Sequence, residues 1–100
     1  MKSGYKLHWS ERALADLKNI IDYLTQNWTE RDIRNFAKRL DKRLEVIVIN
    51  PKLFPKTSRR KGVRKSVLSK HTIIYYQTAG TIVNILTLFD LRQDPKKLRL

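Results

Sequence analysis

The sequence contains no cysteine, so neither a disulfide nor a thiolate metal site can form, and a reducing compartment suits this composition. It shows no internal repeat, linker or low-complexity segment. No apolar run approaches the roughly 18 residues of a membrane helix, and no apolar segment follows Lys2 as it would in a secretory signal. We therefore expect one cytoplasmic domain over residues 1–100 that has no contact with a membrane.

Acidic residues are also scarce. Lys and Arg number 22 against 9 Asp and Glu, which gives a formal net charge of +13. Residues 51–100 hold 12 of the basic side chains and only 2 of the acidic ones. Such a surplus favours a polyanion or an acidic protein as partner, with a solvated basic surface as the alternative. The two histidines and scattered carboxylates have no metal-site spacing, so we expect neither a metal nor a cofactor.

The first 28 residues contain a strand pattern and then a helix pattern. Tyr5, Leu7 and Trp9 alternate with polar residues, which predicts a short half-buried strand, and Ser10 stands where a helix N-cap is expected. Trp9 and Trp28 are expected to be core anchors, although Trp28 could instead contact a partner chain. One apolar stripe at helical spacing makes the helix amphipathic; it consists of Leu14, Leu17, Ile20, Ile21, Leu24 and Trp28.

A second amphipathic helix is predicted directly after the first. Thr29 and Asp32 have the spacing of a capping box, and Asn50–Pro51 predicts the end of the helix because proline disfavours a helical conformation at the preceding residue. The two apolar stripes imply an antiparallel helical hairpin, which needs a further surface to cover it. The buried face of the second helix would be Ile33, Phe36, Ala37, Leu40, Leu44 and Ile47.

The second half of the chain changes to strand patterns. Residues 63–68, 72–76 and 82–89 are rich in β-branched and aromatic side chains, and the short connections between them predict antiparallel hairpins. The last run is almost entirely apolar, as in a central strand that is buried on both faces. The predicted fold class is therefore α+β: an N-terminal strand, an antiparallel helical hairpin, and a three-stranded antiparallel meander that completes one sheet.

This order, together with several local strings, resembles the RelE/ParE superfamily of toxins from type II toxin–antitoxin systems. The resemblance covers nearly the whole chain and depends on order and spacing, because the family has no invariant motif. The strings that carry it are YKLHWSERALADLKNIIDYL, NPKLFP, GVRKSVLSKHTIIYY and VNILTLFDLRQDPKK.

The resemblance implies a compact toxin that is held in a hetero-oligomer by a cognate acidic antitoxin. It leaves the cellular target open. The RelE-like branch cleaves messenger RNA in the ribosome, whereas the ParE-like branch is associated with inhibition of DNA gyrase and does not use that chemistry. A nucleic-acid-binding module without toxicity is a third hypothesis, although the sequence has neither helix-turn-helix spacing nor a paired aromatic platform for RNA.

Messenger RNA cleavage without a metal requires a proton acceptor, a proton donor and a cation for the phosphorane. The candidate catalytic residues are Arg64, His71 and Arg92. Two departures from the RelE-like pattern favour the ParE-like branch. Thr72 stands where RelE-like nucleases commonly have an arginine, and no aromatic residue follows Arg92 in place of their C-terminal tyrosine.

Binding of a target such as gyrase requires only a shaped, charged surface.

Asp90 and Arg92 lie two positions apart in an extended segment, which predicts a local ion pair. The alternative hypothesis is that Asp90 orients Arg92 for a functional role. Asp94–Pro95 predicts the end of that strand. The residues predicted to bind a target or partner are Arg59, Arg60, Lys61, Lys65, Lys70, Lys96, Lys97 and Trp28.

Overall fold

The computed structural model describes residues 4–92 and residue 98. The predicted order of strand, helix, helix and three strands is confirmed, and the chain has an α+β fold. The elements are β1 (Lys6–Trp9), α1 (Glu11–Asn27), α2 (Glu30–Ile49), β2 (Arg64–Val67), β3 (Thr72–Ala79) and β4 (Ile82–Asp90). Asp94–Pro95, predicted to end the last strand, lies outside the described residues.

The four strands form one mixed sheet in the order β1-β4-β3-β2. The predicted meander is present, since β2 pairs with β3 and β3 with β4 in antiparallel fashion. The first strand pairs with β4 in parallel, so β4 is central, as its apolar sequence predicts. Parallel neighbours need a long crossover connection. Here the helical hairpin, β2 and β3 lie between β1 and β4 in the chain.

Local capping residues set the ends of both helices. The Ser10 hydroxyl accepts a hydrogen bond from the Ala13 amide at 3.0 Å, which confirms the predicted N-cap of α1. Thr29 and Asp32 form the predicted capping box, in which each side chain bonds the backbone amide of the other residue. The second helix ends at Ile49, directly before the predicted stop.

The main core lies between the helical hairpin and one face of the sheet. The opposite face carries a smaller cluster of Val63, Ile73, Tyr75 and Phe89, against which Leu86 and Leu98 pack. Both faces of β3 and β4 are therefore partly covered, which agrees with their apolar sequences. The buried members of the main core are Ala13, Ile20, Leu40, Leu44, Ile47, Leu68, Ile74, Tyr76, Val83, Ile85 and Leu88.

Three apolar positions depart from the predicted helix stripes: Trp28, Leu14 and, on the second helix, Ala37, which is exposed. Trp9 packs against the main core, but Trp28 is 55% exposed, so its predicted role as a core anchor is wrong. Its backbone is extended at φ −136° and ψ 178°, so the side chain does not continue the helical stripe. Leu14 is 52% exposed because it stands one position, about 100° around the helix, from buried Ala13. No helix in the described ranges has the length and apolar character needed to cross a membrane.

Candidate functional site

The end of β4 carries an ion pair between Asp90 and Arg92. The Nε atom of Arg92 donates to Asp90 Oδ1 at 2.9 Å, and Nη2 donates to Oδ2 at 2.8 Å. The Arg92 backbone amide also donates to Oδ1 at 2.9 Å. The predicted pairing of these two residues is thus present in bidentate form, the geometry in which Arg and carboxylate bind most strongly.

Arg92 also connects the sheet to α1. Its guanidinium carbon lies 4.4 Å from the centre of the Tyr23 ring, within cation–π distance. Burial by itself raises the pKa of Asp90, but the hydrogen bonds and charge of Arg92, helped by His71, outweigh burial and lower that pKa. The pKa of Arg92 is raised, chiefly by its hydrogen bond to Asp90. Arg92 is therefore a fixed cation held between a carboxylate and an aromatic ring.

His71 and Lys70 lie beside this ion pair, in the turn between β2 and β3. Thr72 pairs with Asp90 across the sheet, and the Leu91 amide donates to the His71 carbonyl at 2.7 Å. Both Lys70 and His71 are exposed. His71 makes a minor contribution to the lowered pKa of Asp90, and its carbonyl contact places the residue next to the end of β4.

Trp28 lies at the same end of the molecule, because α1 runs along β4 in the same direction. Ser10, at the start of the helix, donates to the Leu86 carbonyl at 2.8 Å, whereas Tyr23 contacts Arg92. Trp28 follows five residues later, about 7.5 Å further along the helix axis. We call this end, formed by Trp28, Lys70, His71 and Arg92 with Tyr23 and Asp90, the distal surface. It combines exposed aromatic and basic side chains, as binding surfaces commonly do.

Arg64, the third candidate catalytic residue, is at the other end of the sheet. It pairs with Tyr76, four positions along β3 from Thr72, which is a distance of about 13 Å. Its Nη1 atom donates to the Phe54 carbonyl at 2.7 Å and lies 3.4 Å from the Lys52 carbonyl. The structure therefore brings His71 and Arg92 together but places Arg64 elsewhere, in the role of fastening the loop after α2.

The basic run Arg59, Arg60 and Lys61 forms the exposed tip of a small hairpin. The Thr57 amide donates to the Val63 carbonyl at 2.8 Å. A φ of +83° at Gly62, in the region that favours glycine, allows the chain to turn back. This tip precedes the start of β2, whereas Lys70 follows the end of that strand.

The predicted binding residues therefore divide between the two ends of β2. Lys65 lies between them as a half-buried residue paired with Tyr75. Lys96 and Lys97 lie outside the described residues.

Asp16 has a role that the sequence analysis missed. The first strand covers β4 only from Ile82 to Ile85, so the backbone beyond that point needs another partner. The Asp16 carboxylate accepts hydrogen bonds from the Thr87 hydroxyl and, at 3.2 Å, from the Leu88 amide. The signal in the sequence was the position of Asp16 beside the apolar stripe of α1. A carboxylate that is partly buried there requires a polar partner.

Comparison with known proteins places the chain in a family. A model of the ParE toxin of type II toxin–antitoxin systems, parDE, matches residues 7–95. The chain therefore belongs to this family of toxins, which lies within the RelE/ParE superfamily. No protein with curated function matches the sequence.

Solved structures show the same fold at low sequence identity. The chromosomal ParDE system from P. aeruginosa matches with a TM-score of 0.74 and 18% identity, over 87% of this chain and 96% of the other. The YoeB dimer from Staphylococcus aureus matches at 0.62 with 16% identity, over 87% and 97%. The E. coli DinJ-YafQ toxin–antitoxin complex matches at 0.57 with 16% identity, over 87% and 92%.

Proposed function

We propose that this chain is a growth-arresting toxin that binds an essential cellular target such as DNA gyrase, and that an acidic antitoxin neutralises it. The observation that carries the proposal is the match of residues 7–95 to the ParE toxin family. The similarity in fold to the P. aeruginosa ParDE system, at a TM-score of 0.74, supports it. Binding needs no catalytic constellation, only a complementary surface.

The state of the candidate catalytic cations favours binding over cleavage. Arg92 is already paired with Asp90 in bidentate form, and Arg64 donates to a loop carbonyl. A nuclease would need these cations to converge on one phosphate, whereas they lie at opposite ends of the sheet. Exposed Lys70 and Trp28 on the distal surface instead suit docking against a protein or protein–DNA target.

An acidic antitoxin is a partner that the positive charge of this chain favours. Relatives in fold have been solved as complexes, including DinJ with YafQ from E. coli and YoeB with YefM from Staphylococcus aureus. The net charge of +13 on this chain would attract an acidic segment and speed association. The affinity of the purified complex should therefore fall as salt rises, since salt screens exposed charges. An affinity that stays constant from low to high salt would refute the electrostatic part of the proposal.

The decisive experiment combines expression in cells with a purified assay. Induced expression of the chain should arrest growth and trigger the DNA damage response, and the adjacent reading frame should restore growth. Purified toxin should inhibit supercoiling by gyrase, and prior incubation with antitoxin should prevent this. Arrest without any effect on gyrase would remove gyrase as the target but leave the toxin assignment, whereas no arrest would favour a nucleic-acid-binding module without toxicity.

Cleavage of messenger RNA is the second candidate, and the observation that favours it is the backbone contact that places His71 next to the strand end carrying Arg92. The imidazole could transfer a proton while the guanidinium stabilises the developing negative charge. Arrested cells would then contain messenger RNA broken at defined positions, and both His71→Ala and Arg92→Ala would abolish the breaks. If no such breaks appear in cells that are fully arrested, this mechanism is excluded.

A further inference from the structure

A cavity of about 230 Å³ lies where the loop after α2 meets the end of β3. Among the residues that the structure describes, its wall includes three cationic side chains, those of Lys52, Lys56 and Arg64, and no acidic one. None of these three forms an ion pair within residues 4–92. The cavity is at the end of the sheet opposite the distal surface, and the proposed binding of a target makes no use of it.

Hydrogen bonds fix the backbone that carries these cations. Arg64 fastens the loop by donating to the Phe54 carbonyl, and the hydroxyl of buried Tyr76 donates to the Pro51 carbonyl at 2.6 Å. Lys56 pairs with Arg64 in an isolated β-bridge, which places the two side chains on neighbouring segments. A cavity with walls held in this way loses little conformational entropy when it takes up a ligand.

The lining has the donors that a phosphate group requires. The Arg64 guanidinium has donors beyond the Nη1 that bonds the Phe54 carbonyl, so it can still bind phosphate oxygens, and the lysines add two compact charges. The Gln77 amide and the Thr78 hydroxyl are neutral groups that can also donate hydrogen bonds. A carboxylate would balance only one of the three positive charges, whereas a phosphate monoester carries about two negative charges at neutral pH.

We propose that this cavity binds a phosphate group, either free or as a monoester, with Lys52, Lys56 and Arg64 as its anion-binding side chains. At about 30 Å³ per water, the cavity has the volume of about eight water molecules, enough for a phosphate group and part of what it is attached to. The ligand is therefore a free phosphate, a mononucleotide or the phosphorylated end of a strand.

In the test, the full chain is titrated with inorganic phosphate at constant ionic strength. Binding is monitored through the amide chemical shifts in the NMR spectrum of the protein. Saturable shifts are expected at Gly62, Gln77 and Thr78. The double variant Lys52→Gln/Lys56→Gln should weaken binding about tenfold or more, because it removes two charged donors. Both side chains are exposed, so the variant is expected to fold.

The matched control is Lys38→Gln/Lys42→Gln, which makes the same change in net charge on α2, away from the cavity. It should bind phosphate as the unaltered chain does. Equal weakening in both variants would mean that phosphate responds only to net charge, and shifts scattered over all basic surfaces would mean the same. Identical shifts with chloride would also overturn the proposal.

Two further titrations identify the source of the phosphate. Adenosine 5′-monophosphate is compared with inorganic phosphate, and a single-stranded oligonucleotide with a 5′-phosphate is compared with the same strand bearing a 5′-hydroxyl. Tighter binding of the phosphorylated strand, lost in Lys52→Gln/Lys56→Gln, would assign the cavity to strand ends. Equal binding of phosphate and nucleotide would assign it to small metabolites. If none of the three phosphates binds, the site does not exist.

Discussion

Asp90 and Arg92 form a bidentate ion pair in which Nε and Nη2 of the guanidinium donate to the two carboxylate oxygens at 2.9 and 2.8 Å. The carboxylate is 15% exposed and the guanidinium side chain 39% exposed, so solvent screens the pair only in part. Arg92 at the same time contacts the Tyr23 ring. The pair thus joins the end of the central strand to α1 and sets the charge distribution of the distal surface.

Removal of the Asp90 charge should destabilise the fold modestly. We expect Asp90→Asn to lower the free energy of unfolding by about 1 kcal/mol, a value discounted for the exposure of Arg92. Glu30→Gln is the control, because the exposed Glu30–Arg34 pair on α2 contributes little. Urea denaturation of the three proteins measures this. Equal stability of Asp90→Asn and Glu30→Gln would show that the ion pair has no structural importance.

The same pair predicts a loss of stability in acid. The pKa of Asp90 is lower in the folded chain than in the unfolded one, so this carboxylate stabilises the fold above its unfolded pKa of about 4. That contribution is lost as the pH falls through the folded pKa. The stability of Asp90→Asn should therefore fall less than that of the unaltered chain below about pH 4. Parallel curves of unfolding free energy against pH would contradict the assignment.

Tyr76 predicts the opposite behaviour in alkali. Burial raises the pKa of its hydroxyl to about 12, against the lowering effect of the nearby Arg64 charge. Because a raised pKa stabilises the fold below the unfolded value of about 10, stability should decline as the pH rises from about 10 to 12. Ultraviolet titration of tyrosinate should show one late-ionising tyrosine that is absent from Tyr76→Phe. If every tyrosine titrates near pH 10, the hydroxyl is not buried in solution.

Tyr76→Phe should also destabilise the chain near neutral pH. The variant leaves the carbonyl of buried Pro51 without its hydrogen bond, at a cost of about 1–2 kcal/mol. Tyr23→Phe is the matched control, because the exposed Tyr23 contacts Arg92 through its ring, which phenylalanine keeps. Thermal unfolding of both variants measures the difference. A Tyr23→Phe variant as unstable as Tyr76→Phe would rule out this explanation.

Asp16→Ala should destabilise the fold because it removes hydrogen bonds from α1 to β4. The change leaves the Leu88 amide and the Thr87 hydroxyl without their acceptor, and unpaired buried groups cost about 1–3 kcal/mol each. We expect a total loss of about 2 kcal/mol in unfolding free energy. The control is Asp22→Ala on the same helix, where the carboxylate forms an ion pair with exposed Lys18. Amide hydrogen exchange at Leu88 should also speed up in Asp16→Ala and not in the control.

The variant Trp28→Ala should weaken binding of the antitoxin without destabilising the fold. Since the Trp28 side chain is 55% exposed, Trp28→Ala should change the free energy of unfolding by less than about 0.5 kcal/mol. The affinity of this variant for the antitoxin should nevertheless fall about tenfold or more, as it does when an aromatic anchor is removed from an interface. Trp9→Ala is the contrasting variant, since Trp9 packs against the core and its loss should cost about 2 kcal/mol or more. Unchanged antitoxin affinity in a folded Trp28→Ala would remove Trp28 from the interface.

The sequence predicted those features that depend on neighbouring residues. Helix starts at Ser10 and Thr29 were predictable because a capping side chain bonds the backbone within three residues. The Asp90–Arg92 pair was predictable because its two members lie only two positions apart in the sequence. The exposure of Trp28 was not, since it depends on the extended backbone with which the chain leaves α1. The Arg64 contacts could not be predicted either, because they join segments whose folded path no local pattern gives.

By itself, the sequence determined the order of the elements, most of the apolar faces, the helix ends and the concentration of positive charge in residues 51–100. Each is set by side-chain type and by periodicity along the chain. Only the tertiary structure decided that β1 pairs with β4 in parallel, that His71 bonds the backbone of Leu91 at the end of β4, and that Arg64 lies with Lys52 and Lys56 around a cavity. These contacts depend on how the sheet is ordered, and strand order is a property of packing between segments far apart in the chain.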